Sequence, residues 1–278
     1  MIRFLLATIS SLSCVSAAYC ATTNSNGVEV YWESSGEGPG IVLVHGLMCD
    51  TTVWVDQVAE FERDYRVIAL DLPGHGRSGA LSEGVYTLGT YADAIEAVRA
   101  AAGIDEIVLV GHSLGGPAIG EYWKKYPEHV AALVGVDAVF VPPPSPPQGG
   151  VQSEQPTLGS RAEMLNGMFV PSTPDAVKEK VFSLMFDPPD EVALALGGAM
   201  ARSTVSFEDT IDVPGLVVLA AESASPLGGD LELMRQAGRK FMPGIRVERL
   251  DDAGHFLQME KPDGFNRLLR EFLEDIDF

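Results

Sequence analysis

Residues 107–116 read Ile-Val-Leu-Val-Gly-His-Ser-Leu-Gly-Gly, and this stretch decides how the rest of the chain is interpreted. Ile107–Val110 is an apolar run typical of a buried strand, and Pro117–Lys125 is typical of a helix. Between them stands Gly-x-Ser-x-Gly, the pattern of a nucleophile elbow, in which glycine permits a sharp strand-to-helix turn. We predict that the turn presents the Ser113 hydroxyl at the positive end of the helix, where a developing anion is stabilised.

Composition and charge describe an acidic chain of enzyme size. Its 278 residues include 19 Lys and Arg against 39 Asp and Glu, which gives a formal net charge of −20. That charge repels nucleic acid and anionic membrane surfaces, so neither is expected as a partner. Hydrophobic residues make up 46% of the chain, which is enough for a large core in one domain with an insertion or in two domains.

The first 18 residues have the order of a secretory signal. Arg3 gives a positive start, Phe4–Val15 is apolar, and small residues suitable for cleavage end at Ala18. We expect residues 1–18 to be a signal peptide and the mature protein to be secreted or periplasmic, without a membrane span. An uncleaved anchor or a flexible tail is the alternative.

Downstream of residue 27, short apolar runs alternate with helical patterns. This order predicts βα units and an α/β fold, a doubly wound and mostly parallel sheet. Continuous Val, Ile and Leu in the middle runs indicates strands that are buried on both faces. The predicted strands are 28–32, 41–44, 66–70, 106–110, 132–136, 216–220 and 245–250. The predicted helices are 53–62, 88–101, 117–125, 230–241 and 262–274.

The alternation stops in the segment 138–210. It opens with a linker rich in proline and glycine, 141–150, which can form neither a helix nor a central strand. Thr173-Pro174-Asp175 then predicts the start of a helix, with Thr173 as the N-cap. We predict that 138–210 is a helical cap, or lid, inserted into a sheet domain made of 27–137 and 211–278.

Two further motifs follow predicted strands. His45-Gly46-Leu47 ends the second strand, and the N–H groups of Leu47 and Leu114 would there form a two-donor oxyanion hole. The alternative is that His45-Gly46 is only a tight turn. Asp252-Ala253-Gly254-His255-Phe256 follows the last strand, and a loop freed by glycine can carry His255 back as a general base. The alternative is a surface histidine.

These motifs resemble those of the α/β-hydrolase superfamily, in its cap-bearing, serine-nucleophile, esterase-like branch. The resemblance extends over 27–276 and includes Asp71-Leu72-Pro73-Gly74-His75-Gly76-Arg77-Ser78 and Glu260-Lys261-Pro262. It implies a Ser-acid-His triad that contains Ser113 and His255. His75 and Arg77 of this motif are interpreted as organising the loop and not as catalytic residues. Haloalkane dehalogenases and epoxide hydrolases carry aspartate at the elbow, so serine there argues against their chemistry.

The acid of the triad is ambiguous in the sequence. The commonest pattern of the superfamily has an aspartate after the strand that follows the cap, where this chain has Ser223, with Glu222 one residue early. Neighbouring side chains near a strand end point in opposite directions, so the shift matters. Another branch carries its acid after the strand that follows the elbow helix, where Asp137 stands. We predict Asp137 as the acid and keep Glu222 as the alternative. A strand-end cap at Asp137 and a defective triad also remain open.

The residues together predict a secreted serine hydrolase that cleaves a carboxylic ester, lactone or thioester through an acyl-enzyme. Ser113 would attack, His255 would take its proton, Asp137 would orient the imidazole, and the N–H groups of Leu47 and Leu114 would hold the oxyanion. The expected substrate is a small to medium, mostly uncharged molecule. Two alternatives stay open. One is another reaction of the same triad: C–C bond hydrolysis, proline-iminopeptidase-like peptide cleavage or perhydrolysis. The other is a catalytically weak binding protein.

Cysteine usage bears on metals and on disulfides. No cluster of Cys and His has metal-ligand spacing, and no phosphate-binding glycine loop is present, so we expect neither a metal nor an organic cofactor. Removal of the signal would leave Cys20 and Cys49, which could pair in an exported protein. Cys20 is expected in a flexible terminus, which disfavours that disulfide.

Overall fold

The structure is a computed structural model that describes residues 19–81, 86–140, 158–187, 210–221, 224–225 and 231–278. Within these ranges eight strands form one sheet in the order β1-β2-β4-β3-β5-β6-β7-β8. The strands are β1 (Tyr19–Ser25), β2 (Val28–Ser35), β3 (Gly40–Val44), β4 (Arg66–Leu70), β5 (Ile107–His112), β6 (Val130–Val136), β7 (Gly215–Leu219) and β8 (Arg246–Arg249). The α-helices are α1 (Val55–Phe61), α2 (Leu88–Ala102), α3 (Gly115–Lys125), α4 (Leu158–Gly167), α5 (Asp175–Phe186), α6 (Leu231–Phe241), α7 (Leu257–Glu260) and α8 (Pro262–Asp275).

The sheet is mostly parallel. Pairing is parallel from β4 through β3 and β5 to β8, whereas β2 runs antiparallel to β4 and β1 antiparallel to β2. Every residue of β3, β5 and β7 is buried, as continuous apolar runs predict for strands covered on both faces. The predicted α/β fold with a mostly parallel sheet is therefore confirmed. Parallel strands end at one edge of a sheet, so the loops after β3, β5, β6, β7 and β8 meet there.

The first strand is a correction to the sequence analysis. β1 is a polar edge strand whose full length pairs with β2, so Cys20 lies in a strand and not in a flexible terminus. Alternating exposure and the absence of an apolar run left no hydrophobic signal for this strand. Cys20 is exposed and Cys49 is buried, and both are free thiols. Burial raises the pKa of the Cys49 thiol to about 12.

Residues 158–187, here called the inserted segment, lie between β6 and β7 in the chain and contain α4 and α5. The predicted N-cap of α5 is wrong by one residue: Pro174 occupies that position without a side-chain bond, and Thr173 uses its hydroxyl elsewhere. The linker 141–150 and the signal peptide 1–18 lie outside the described residues. The division into a sheet domain and a cap stays a prediction.

Among the helices that the structure describes, none combines the length and the apolar character that a membrane crossing requires.

Candidate active site

The turn after β5 holds Ser113 in a strained backbone conformation. Its φ is +50°, in the left-handed region that costs a residue with a side chain of the order of 1 kcal/mol or more. Two glycines make the turn possible, because a Cβ on Gly111 would overlap the carbonyl of Gly115, and one on Gly115 would overlap the carbonyl of Val44. The N–H of Ser113 donates to the Val136 carbonyl at 3.2 Å. The turn is therefore fixed between the ends of β3 and β6.

Asp137 and His255 form a buried pair at the same edge of the sheet. Asp137 follows β6 with a φ of +40°, and its Oδ2 lies 2.6 Å from His255 Nδ1. Its Oδ1 accepts from the Ala220 N–H at 2.9 Å and from the Ser225 hydroxyl at 2.7 Å. Both carboxylate oxygens are thus occupied, and the imidazole is held from its Nδ1 side. Glu222, the alternative acid, lies outside the described residues.

His45 orients the loop that follows β3. The N–H of Leu72 donates to His45 Nε2 at 2.9 Å, so that nitrogen carries no proton. Burial lowers the pKa of His45 and keeps the ring neutral. The proton therefore lies on Nδ1, which donates to the Gly46 carbonyl at 2.7 Å. The ring thereby fixes the peptide that joins Gly46 to Leu47.

The Gly46–Leu47 peptide sets the direction of the Leu47 N–H, which is one of the two predicted oxyanion donors. The Gly46 carbonyl also accepts from Cys49 N at 3.2 Å, and in a trans peptide the N–H of Leu47 points the opposite way. A Cβ at residue 46 would lie 2.9 Å from His112 Nδ1 and 3.0 Å from the Cβ of Ser113, so a larger residue there would displace these neighbours. In the described part of the chain, neither the Leu47 N–H nor the Leu114 N–H donates to a backbone carbonyl. The predicted oxyanion hole requires donors of this kind.

The loop of residues 71–78 contacts His45 through the N–H of Leu72. Asp71 is fully buried, and its carboxylate accepts from Thr51 N at 2.7 Å, Arg77 N at 2.9 Å and Arg77 Nε at 3.1 Å. Burial lowers the pKa of His75 to about 3, so this ring is neutral at physiological pH. The contacts of Arg77 with Asp71 organise the loop, in the role predicted for Arg77, and the Leu72 N–H of this loop lies against His45.

His112 has a structural role that the sequence analysis missed. Its Nε2 donates to the carbonyl of His255 at 2.9 Å, and the centroids of the two rings lie 4.8 Å apart. Burial lowers the pKa of His112 well below its usual value, so the ring is neutral. The residue next to the elbow serine thus ties the two loops together. The sequence gives no sign of this contact, because it joins residues that are 143 positions apart in the chain.

A metal centre is not formed by the described residues, which contain no group of three or more His, Cys, Asp and Glu side chains arranged to hold an ion. The chemistry that the geometry allows is that of a buried acid-histidine pair at the sheet edge that also carries a serine at a sharp turn.

Comparison with known proteins agrees with the fold and the motifs. The family model described as alpha/beta hydrolase fold matches residues 39–175. A protein of Mycobacterium bovis described as uncharacterized is 34% identical over 275 residues, covering 86% of this chain and 76% of its own length. The chain belongs to the α/β-hydrolase superfamily. The resemblance to this superfamily, inferred from the sequence motifs, is therefore confirmed.

This α/β hydrolase is similar over most of its length to proteins of different activity. A 2-hydroxy-6-oxononadienedioate/2-hydroxy-6-oxononatrienedioate hydrolase of Klebsiella pneumoniae is 26% identical over an alignment of 271 positions that covers 88% of this chain and 91% of that protein. A thermophilic esterase from Thermogutta terrifontis superposes with a TM-score of 0.79 at 27% identity, over 93% of this chain and 99% of the esterase. The comparisons thus support a hydrolase with esterase-like neighbours.

Proposed function

We propose that this α/β hydrolase is a serine hydrolase that cleaves a carboxylic ester, lactone or thioester through an acyl-enzyme. The observation that carries the proposal is the 2.6 Å contact between Asp137 and His255 Nδ1, at the sheet edge where Ser113 occupies its strained turn. Similarity to the Thermogutta terrifontis esterase supports the same reaction class.

In the proposed reaction each group takes one step. Because His255 donates from Nδ1 to Asp137, its Nε2 is the basic nitrogen that takes the proton of Ser113 during attack on the carbonyl. The tetrahedral oxyanion is held by the N–H groups of Leu47 and Leu114, each worth about 3–4 kcal/mol in enzymes of this kind. The alcohol or thiol leaves with the proton, and water activated by His255 then releases the acid.

The proposed substrate is small to medium and mostly uncharged. Aromatic rings of the inserted segment extend toward the histidine loop. The ring centroids of Phe182 and Phe169 lie 6.2 Å apart, and those of Phe169 and Phe256 lie 6.0 Å apart. The Phe256 ring in turn lies 5.2 Å from the ring of His255. An apolar acyl or alcohol group is favoured beside such rings, whereas a formal net charge of −20 disfavours polyanions. This arrangement also fits the predicted cap.

Turnover of p-nitrophenyl esters of graded chain length tests the proposal, with a homoserine lactone and an acyl thioester as further substrates. We expect saturable hydrolysis of at least one of these classes. A 2-hydroxy-6-oxodienoate serves as the competing substrate, because the Klebsiella pneumoniae relative motivates C–C bond hydrolysis as the second candidate. A kcat/KM on the dienoate about 100-fold above that on the best ester would favour C–C hydrolysis, and no turnover of either class would favour a binding protein.

Export is proposed together with the reaction. Cleavage after Ala18 would leave Tyr19, the first residue of β1, at the new N-terminus, so the sheet would remain complete. We expect protein isolated from the native host to lack residues 1–18 and to lie outside the cytoplasm. Mass spectrometry of the N-terminal peptide in each cell fraction measures this. Intact Met1 on cytoplasmic protein would overturn it.

A further inference from the structure

Glu260, at the end of α7, is a buried carboxylate that bonds only to uncharged donors. It is 5% exposed, and none of the Lys, Arg and His side chains in the described ranges forms an ion pair with it. Its oxygens accept from the N–H of Gly254 at 2.9 Å, from the N–H of Phe256 at 3.3 Å and from the hydroxyl of Thr173. Burying a charge is costly, so these three donors are what make the position tolerable.

Two of those donors belong to the residues on either side of His255. A carboxylate that accepts from Gly254 N and Phe256 N fixes the Ala253–Gly254 peptide and the His255–Phe256 peptide, one on each side of the His255 Cα. The space is tight, since a Cβ on Gly254 would lie 2.7 Å from Glu260 Oε1 and would overlap the carbonyl of Met168. The backbone of the histidine loop is thus packed between the carboxylate and the inserted segment.

The third donor comes from the inserted segment itself. Thr173 Oγ1 accepts from the N–H of Val170 at 3.0 Å, which directs its hydroxyl hydrogen toward Glu260. The carbonyl of Met168 accepts from the N–H of His255 at 2.8 Å. The inserted segment therefore contacts His255 directly at Met168 and indirectly through Thr173 and Glu260.

We propose that Glu260 is a positioning residue for His255, and that Thr173 acts on His255 through Glu260. The location of the inserted segment then sets the position of the imidazole relative to Ser113. A displacement of about 1 Å in a reacting group can lower the rate by about 100-fold. The Glu260 carboxylate, which bonds both to Thr173 and to the loop of His255, can therefore couple the inserted segment to catalysis. The inference rests on the serine-hydrolase function proposed above.

Conservative variants separate positioning from folding. Glu260→Gln keeps the size but turns an NH₂ group toward one of two N–H donors, so we expect kcat to fall by at least about tenfold with KM within about twofold. Thr173→Val removes the hydroxyl at similar volume, and we expect a smaller fall in kcat. Thr173→Ser keeps the hydroxyl and should restore kcat. Asp252→Asn is the matched control, because this exposed carboxylate of the same loop pairs with Lys261.

A double-mutant cycle tests the route from Thr173 to His255. If Thr173 acts through Glu260, adding Thr173→Val to Glu260→Gln should change kcat no further. Additive losses would overturn the coupling. An effect of Glu260→Gln on KM alone, or one no larger than that of Asp252→Asn, would overturn the positioning role.

An NMR measurement keeps this inference separate from the proposed function. The imidazole Nδ1–H of His255 bonded to Asp137 should give a far-downfield proton signal, identified by its loss in His255→Asn. We expect this signal to move in Glu260→Gln and Thr173→Val and to stay in place in Asp252→Asn. A moved signal in a protein without ester turnover would support positioning and refute the esterase proposal. An unmoved signal in an active enzyme would refute the positioning role alone.

Discussion

Replacement of Ser113 by alanine is expected to abolish ester hydrolysis, with a loss in kcat of about 10⁶-fold where acylation limits the rate. The variant removes the oxygen that is proposed to attack, while the predicted oxyanion donors and the Asp137–His255 pair remain. Alanine keeps the Cβ, so the cost of the +50° φ is the same in both proteins. We therefore expect the melting temperature to change by no more than about 3 °C. Turnover of the best ester and calorimetry measure the two quantities.

A fluorophosphonate probe gives an independent readout. It should label Ser113 in the wild-type protein and leave the Ser113→Ala protein unlabelled. Wild-type turnover in the variant would refute the serine-hydrolase proposal, as would labelling at another residue. A large fall in the melting temperature would instead show that the elbow hydroxyl stabilises the fold.

The features of the site that could be predicted are those with a local signal. Ser113 stands between an apolar run and a helix, and glycines mark the turns at Gly46 and Gly254, so each loop could be placed at the end of a strand. Parallel strands share an edge, which brings these loops together without further information. The structure places all of them at that edge.

The partners of His255 could not be derived in the same way. Asp137 and His255 are 118 residues apart, and the sequence left two carboxylates open for one contact. Glu260 stood in a recognised motif, yet its contact with Thr173 spans 87 residues and depends on how the inserted segment packs. The same contact explains the wrong N-cap, because the Thr173 hydroxyl that suits a helix start is engaged by a buried carboxylate instead.

The second large effect on kcat is expected from replacing the acid of the triad, which is Asp137 or, in the alternative, Glu222. Asp137→Asn is expected to lower kcat by about 10⁴-fold, the loss seen for the same change in a serine protease. The neighbours of residue 137 dictate how the amide is oriented. The Ala220 N–H, 2.9 Å from Oδ1, can only donate, so the amide oxygen must face it. The NH₂ group then faces His255 Nδ1 and donates to it, which moves the imidazole proton to Nε2 and removes the base.

Glu222→Gln is the control for that experiment, and we expect it to lower kcat by less than about tenfold. The reason is that Nδ1 of His255 has a single hydrogen to donate, and Asp137 already accepts it at 2.6 Å. Measuring both variants on the best ester, with the melting temperature of each, separates loss of the base from loss of the fold. If the large loss occurs in Glu222→Gln and Asp137→Asn stays near wild type, the acid is Glu222. In that case the contacts of Asp137 with Ala220 and Ser225 serve only to close the end of β6 against β7.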